Sequence, residues 1–224
     1  DRLAERRHEN RRLEARLGLP ILDLSADEEA GAADSLAWRR VRIEGTWDPG
    51  HTILVRGRGY RGAPGVHVVA PLRWEPDGAA LVLRGWLPAA DGVSADLGRI
   101  WPDSAIVAVG GRLEGLALPG EPTSSIPPRT RTVGPREHLV LGSLDIEQAT
   151  RTLPYEVLPV FVLAAEGTEA ATGAPLAVPP PRLSDGPHLS YAIQWFSFSA
   201  IALVGAALYY RTRRRSPRSE GGQA

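Results

Sequence analysis

Residues 65–88 read GVHVVAPLRWEPDGAALVLRGWLP. Two apolar runs, 66–74 and 79–84, flank Glu75-Pro76-Asp77-Gly78. Proline presets one turn angle and glycine accepts angles that other residues avoid, so these four residues predict a hairpin between two strands. Upstream, residues 38–47 (WRRVRIEGTW) alternate apolar and charged side chains, the period-two pattern of a half-buried strand. Further strands are expected at 52–56, 105–113 and 158–165, and a short helix at 143–152 with Ser143 as its N-cap. Short strands at close spacing predict a mainly β fold: an antiparallel curled sheet or small barrel with a few short helices. Two stretches of poor periodicity, 115–137 and 167–187, carry five prolines each. The first is expected as a loop over the sheet and the second as an extended tether.

The tether leads to a membrane segment. From Leu189 to Tyr210 the chain runs 22 residues without a charge. A helix of that length spans roughly 33 Å, enough for the hydrocarbon core of a bilayer. Tyr191 and Trp195 at one end, and Tyr209 and Tyr210 at the other, sit where interfacial aromatic belts belong. Arg211, Arg213, Arg214, Arg215 and Arg218 follow at once, and clustered arginines beside a span favour the cytoplasmic side. The lipid bilayer is therefore one expected partner, with the C-terminus cytoplasmic and the bulk of the chain outside. Residues 2–17 are good helix formers with few apolar positions, which predicts a largely solvated helix. The expected division is a membrane-proximal helix over 1–20, an external β-rich domain over 21–166, the tether over 167–187, a transmembrane helix over 188–210 and a basic cytoplasmic tail over 211–224.

Composition narrows the chemistry. The chain has 224 residues with 26 acidic and 26 basic groups, and every basic one is arginine. There is no Cys, so disulfides, thiol nucleophiles and cysteine-based metal sites are excluded. No Lys means no Walker A loop and no Schiff base. A net charge of zero argues against nucleic acid as a partner. With no Met in the chain, position 1 is expected not to be the translation start.

Catalytic constellations are weak. Gly57-Arg58-Gly59-Tyr60-Arg61-Gly62 matches G-x-G-x-x-G, but a strand rather than a helix follows it, so a hairpin loop is expected instead of a dinucleotide site. The histidines His8, His51, His67, His138 and His188 show no short metal-ligand spacing. His51 and His67 are close enough in sequence to meet across a hairpin, although a partly exposed strand histidine is the commoner arrangement. A membrane-anchored enzyme would need an acid/base cluster that the sequence does not display. His188 stands apart, at the outer rim of the span. Tyr191, Ala192, Trp195, Ser199, Ala202 and Ala206 fall on or near one face of the helix that begins there. An imidazole in that position can ligate haem iron between the apolar walls of Tyr191 and Trp195. The alternative is a polar interfacial histidine that sets the depth of the helix.

Three motifs in order resemble the Surf1 family (surfeit locus protein 1). They are Gly65-Val66-His67-Val68-Val69-Ala70-Pro71-Leu72, Val82-Leu83-Arg84-Gly85-Trp86-Leu87-Pro88, and His188-Leu189-Ser190-Tyr191-Ala192-Ile193-Gln194-Trp195-Phe196, with Gly45 and Arg56 in matching context. The resemblance implies a membrane hairpin with an N-terminal span before Asp1, in the cytoplasmic membrane of a bacterium. It implies an assembly factor for haem-copper (cytochrome c) oxidase, not an enzyme, whose partners are subunit I and its assembly machinery. It also implies transient haem a binding, with His188 as the metal ligand. An interaction protein that stabilises an oxidase intermediate without haem is the alternative. Where many members carry paired asparagines before that histidine, this chain has Asp185-Gly186-Pro187. Read from the residues alone, Arg84, Gly85, Trp86 and Pro88 are expected to be structural first. Gly85 lets the strand bend or another backbone come close, Trp86 buries a large face, Pro88 ends the ladder, and Arg84 flanks as a surface donor or inward ion-pair partner. A docking role for the same residues toward subunit I is the second expectation.

Overall fold

The computed structural model describes residues 2–26, 33–97, 110–133, 136–165, 175–181 and 188–215. The side chains at 2–9, 188–190, 192 and 212–215 lie outside the described part. The chain forms two compact units, residues 11–181 and residues 1–10 with 182–224. Helix α1 (Arg2–Leu17) opens the chain as its composition predicts. The larger unit then carries β1 (Leu22–Asp23), α2 (Ala33–Leu36), β2 (Arg40–Trp47), β3 (Ile53–Tyr60), β4 (Ala63–Trp74) and β5 (Gly78–Pro88). It continues with β6 (Gly110–Leu118), β7 (Arg129–Val133), β8 (Arg136–Leu141), α3 (Ile146–Thr150) and β9 (Phe161–Ala164).

Five strands close on themselves. β2 pairs with β6, β6 with β9, β9 with β5 and β5 with β4. The ring shuts where Thr46 and Trp47 of β2 meet Arg73 and Leu72 of β4. A side chain at Gly45 would stand 2.2 Å from the Arg73 carbonyl oxygen, so the closing strands approach this nearly only because residue 45 has none. On the other half of β4 the sheet extends through β3 and β8 to β7. Three pairings are parallel, β1 with β2, β3 with β8 and β5 with β9, each between strands joined by a longer connection; the others, including the hairpins and β6 with β9, are antiparallel.

The two faces of β4 and β5 build two cores. Val66, Val68, Ala70 and Leu72 point into the barrel beside Ala80 and Val82. Val69, Leu81 and Leu83 face outward onto Ile53, Leu141 and Phe161, with Ala149 of α3 in the same cluster. A strand buried on both sides has no need of polar alternate residues, which explains why 68–72 is continuously apolar. The predicted hairpin is present, with residues 75–77 as its loop.

Several expected boundaries move. Strands β3 and β5 run longer than 52–56 and 79–84, carrying the R-G-W-L-P residues within β5 rather than past its end. Of the strand expected at 105–113, residues 110–113 lie in β6, which continues to Leu118, while 98–109 fall outside the described residues. The stretch 115–137 is loop only over 119–128; its ends belong to β6, β7 and β8. β7 escapes the periodicity test because Arg129, Thr130, Arg131 and Thr132 are exposed on an edge strand, polar on both faces. The N-cap of α3 is Asp145, not Ser143: the Asp145 carboxylate accepts from the Gln148 N–H at 3.1 Å, satisfying a donor that a helix start leaves open.

The barrel closure makes a direct prediction. Gly45→Ala is expected to cost about 1–3 kcal/mol, the usual penalty for overpacking a rigid contact. Gly59→Ala, where a new Cβ meets only an oxygen at 3.8 Å, is expected to stay within about 0.5 kcal/mol of wild type. Denaturant midpoints of the two variants check this.

Candidate functional site

Two of the three sequence motifs are cross-strand neighbours. Gly65 pairs with Pro88, Val66 with Leu87, His67 with Trp86 and Val68 with Gly85. The register then slips, since Val69 pairs with Leu83, and Arg84 is left as the extra residue of a β-bulge. Arg84 lays its guanidinium over the Trp47 ring, 4.7 Å from the centroid. That is a cation–π contact, which the sequence reading did not include. Trp86 is 4% exposed; its indole N–H donates to the Arg58 carbonyl at 2.8 Å and its ring sits 5.5 Å from that of Tyr60. Pro88 ends the β4–β5 ladder.

Gly85 has a φ of 151°, a conformation L side chains rarely adopt, and a Cβ there would lie 2.6 Å from the Leu176 carbonyl oxygen. The neighbour is a strap. Leu176 exchanges both backbone hydrogen bonds with Trp86, each 2.8 Å. Pro175 is buried and Val178 packs on the outer core. Residues 175–181, within the stretch read from sequence as a tether, are thus fastened to the β5 edge.

Beside Trp86 lies a polar cluster. Arg58 of β3 ion-pairs with Glu121. The same carboxylate accepts from the Leu144 N–H at 2.9 Å. Burial pushes the Glu121 carboxyl up, but hydrogen bonds from Arg58 and Leu144 outweigh it and hold the group below its usual range. His67 sits against the same ion pair with Nδ1 buried and lacking a hydrogen-bond partner. Burial, and then the charge of Arg58, depress its pKa to about 4. The ring is neutral at neutral pH.

His51 and His67 do not meet. His51 lies in a single 3-10 turn (Pro49–His51), where its Nδ1 is 2.8 Å from Asp48 Oδ2. The Tyr155 hydroxyl donates to that oxygen, also at 2.8 Å, and the Arg73 guanidinium stands 4.4 Å over the Tyr155 ring. Burial raises the Asp48 carboxyl, yet the donors Tyr155 and His51 bring it below its ordinary value. The cluster clamps the 153–159 segment to the turn after β2. His138 is buried with Nδ1 3.1 Å from the Thr52 carbonyl oxygen. All three described histidines are therefore taken up inside the β unit.

A groove along α3 carries Glu121, Asp145, Glu147 and Glu156. The first three already hold Arg58, the Gln148 N–H with Thr123, and Arg151. Among the described residues no group of three or more histidines and carboxylates is set to hold a metal ion. Asp48–Tyr155 and Arg58–Glu121 join residues 107 and 63 positions apart, a separation at which sequence spacing carries no signal.

Helix α4 (His188–Arg215) forms the C-terminal part of the second unit. Its stretch Ile193–Arg211 is long and apolar enough to cross a membrane. Ser197 and Ser199 return their hydroxyls to the carbonyls of Ile193 and Trp195, at 2.8 and 3.0 Å, as polar groups in hydrocarbon must. Tyr191 and Trp195 are one turn apart with exposed rings. His188 is the first residue of α4, and its side chain lies outside the described residues.

A small closed barrel and, in the second unit, a helix long and apolar enough to cross a membrane define a mainly β protein with a candidate membrane anchor. The family model described as the SURF1 family matches residues 1–200. The chain is 26% identical over 216 residues to uncharacterized SURF1-like proteins of Mycobacterium bovis and of two Mycobacterium tuberculosis strains, covering 90% of this chain and 70% of each relative. The chain belongs to the SURF1 family, a family of oxidase assembly factors and not an enzyme class.

The two depressed histidines set a pH dependence. Each holds its proton less tightly in the folded chain than in the unfolded one, so their contribution to stability is whole above about pH 6.5 and declines as the pH falls below it, for His67 down to about 4. Denaturant midpoints of the detergent-solubilised chain are expected to fall across that window, with a shallower slope in His67→Gln.

Proposed function

We propose that the chain is a membrane-anchored assembly factor for haem-copper (cytochrome c) oxidase that assists the insertion of haem a into subunit I. The observation that carries this reading is the family match over residues 1–200, which takes in both strand motifs and the opening of α4. The chemistry of α4 fits the cargo. A histidine imidazole is a ligand for haem iron, and Tyr191 and Trp195 offer exposed aromatic faces one turn apart. In the β unit, His51 and His138 are committed to protein partners and His67 is enclosed against Arg58 and Glu121. His188 is the axial ligand in this reading, and transient binding suits hand-over to subunit I. The arginines after Tyr210 favour the cytoplasmic side of a bacterial membrane, with the barrel on the periplasmic side. The lipid bilayer and subunit I are then its partners.

The test is the reduced-minus-oxidised optical spectrum of membranes from the parent strain, a strain lacking the gene, and a His188→Ala strain. The proposal expects the a-type band to fall in both altered strains. A fall in the deletion alone would leave a protein that stabilises an oxidase intermediate without holding haem. An unchanged a-type band in a deletion with no second copy would overturn the assignment.

A further inference from the structure

The sheet ends in β1 on one side and in β7 on the other. β1 has two residues and presents almost no edge. β7 has five, paired with β8 from Arg129↔Val140 to Val133↔Arg136 without a break in register. A strand in an antiparallel pair turns alternate N–H and C=O groups toward its neighbour and the others away, so β7 keeps a row of open donors and acceptors along its outer edge among the described residues. Arg129, Thr130, Arg131 and Thr132 are all exposed. Edges are commonly closed by a proline, a bulge or a lack of length, and β7 has none of these. Its guard is charge.

The charge has one sign. Arg129 and Arg131 are two residues apart and share a face of the strand. The Arg129 side chain has no hydrogen-bond or ion-pair partner among the described residues. Arg131 holds Asp91 at 3.1 Å, but the two side chains are 48% and 45% exposed, so water screens the pair and a competitor can replace it. Arg136, half-buried at the start of β8, adds a third positive charge, and Glu137 is the one acidic residue in 129–141. This pattern selects against a second copy. Two β7 strands paired antiparallel over their full length centre on Arg131, which places it opposite itself with the other copy's Arg129 in the diagonal position. Like charges set opposite each other across a ladder are unfavourable, whereas carboxylates in the same places are favourable.

We propose that the outer edge of β7 is a docking site for an extended acidic segment of a partner protein, which joins the sheet as an added strand with its carboxylates toward Arg129 and Arg131. The open backbone groups supply the affinity, and the arginines choose the partner by attracting acidic strands and repelling the chain's own edge. The site lies within the β unit and goes beyond the oxidase-assembly reading, since it calls on neither haem nor α4.

The test uses the full chain in uncharged detergent micelles and a fluorescein-labelled peptide of alternating Glu and Thr, followed by fluorescence anisotropy. The same peptide N-methylated at every residue keeps its charge and loses its N–H donors. Arg129→Glu reverses one charge at an exposed side chain and leaves both cores alone. The proposal expects saturable binding of the unmodified peptide, weakened at least about fivefold by Arg129→Glu and lost on N-methylation. Equal binding of the methylated peptide would make the edge a plain basic patch and overturn the added strand. Unchanged binding by Arg129→Glu would place the peptide elsewhere on the chain. No binding by the parent up to about 1 mM peptide would overturn the proposal outright. Sedimentation of the parent as a dimer whose affinity changes with Arg129→Glu would give the edge to a second copy, against the acidic partner.

Discussion

The pairing of β4 with β5 over ten residue pairs, from Gly65↔Pro88 to Trp74↔Gly78, is the contact on which the rest of the fold depends. Both strands are buried on both faces, so together they separate the barrel interior from the outer core while contributing to each. β4 also reaches across to β2 at Thr46 and Trp47, which shuts the barrel. β5 reaches the other way to β9 and then to the strap. Remove this hairpin and neither core has a wall. Such double burial also explains the apolar character of the stretch better than any surface role could.

The bulge at Arg84 gives the motif its geometry. An extra residue turns the alternation of β5, so that Leu83 and Trp86 lie on the outer side while Val82 and Leu87 stay in the barrel. Arg84 is thereby set over Trp47, a residue of the barrel core at the closing contact. Trp86 is set under Tyr60 with its indole on the Arg58 carbonyl, beside the Arg58–Glu121 pair and His67. Each signature residue has a physical task within residues 11–181.

Much of this was legible in the sequence, for particular reasons. The 65–88 hairpin announced itself through apolar runs and a Pro-Asp-Gly turn. Arg61 and Gly62, both at positive φ (50° and 83°), close the β3–β4 hairpin, which is why the apparent G-x-G-x-x-G is a turn and not a phosphate loop. The membrane segment followed from length and charge. β7 was not legible, since an edge strand of alternating Arg and Thr has no apolar face. Nor was the strap, because a single bridge between Trp86 and Leu176 leaves no periodicity to read. The Asp48–His51–Tyr155 clamp joins partners too distant in sequence for any spacing rule. The candidate role of His188 came from family resemblance and its place at the rim of the span; composition and spacing alone favoured an ordinary interfacial histidine.

The β5 edge is the point where the β unit takes hold of Pro175, Leu176 and Val178. Amide hydrogen exchange of the full chain in detergent micelles tests this directly at Trp86 and Leu176. The account predicts that the Leu176 N–H is protected and is released together with the Trp86 N–H, because each donates to the other residue's carbonyl. Exchange of the Leu176 N–H at the rate of unstructured chain, while the β5 amides within the β4 ladder remain protected, would contradict it.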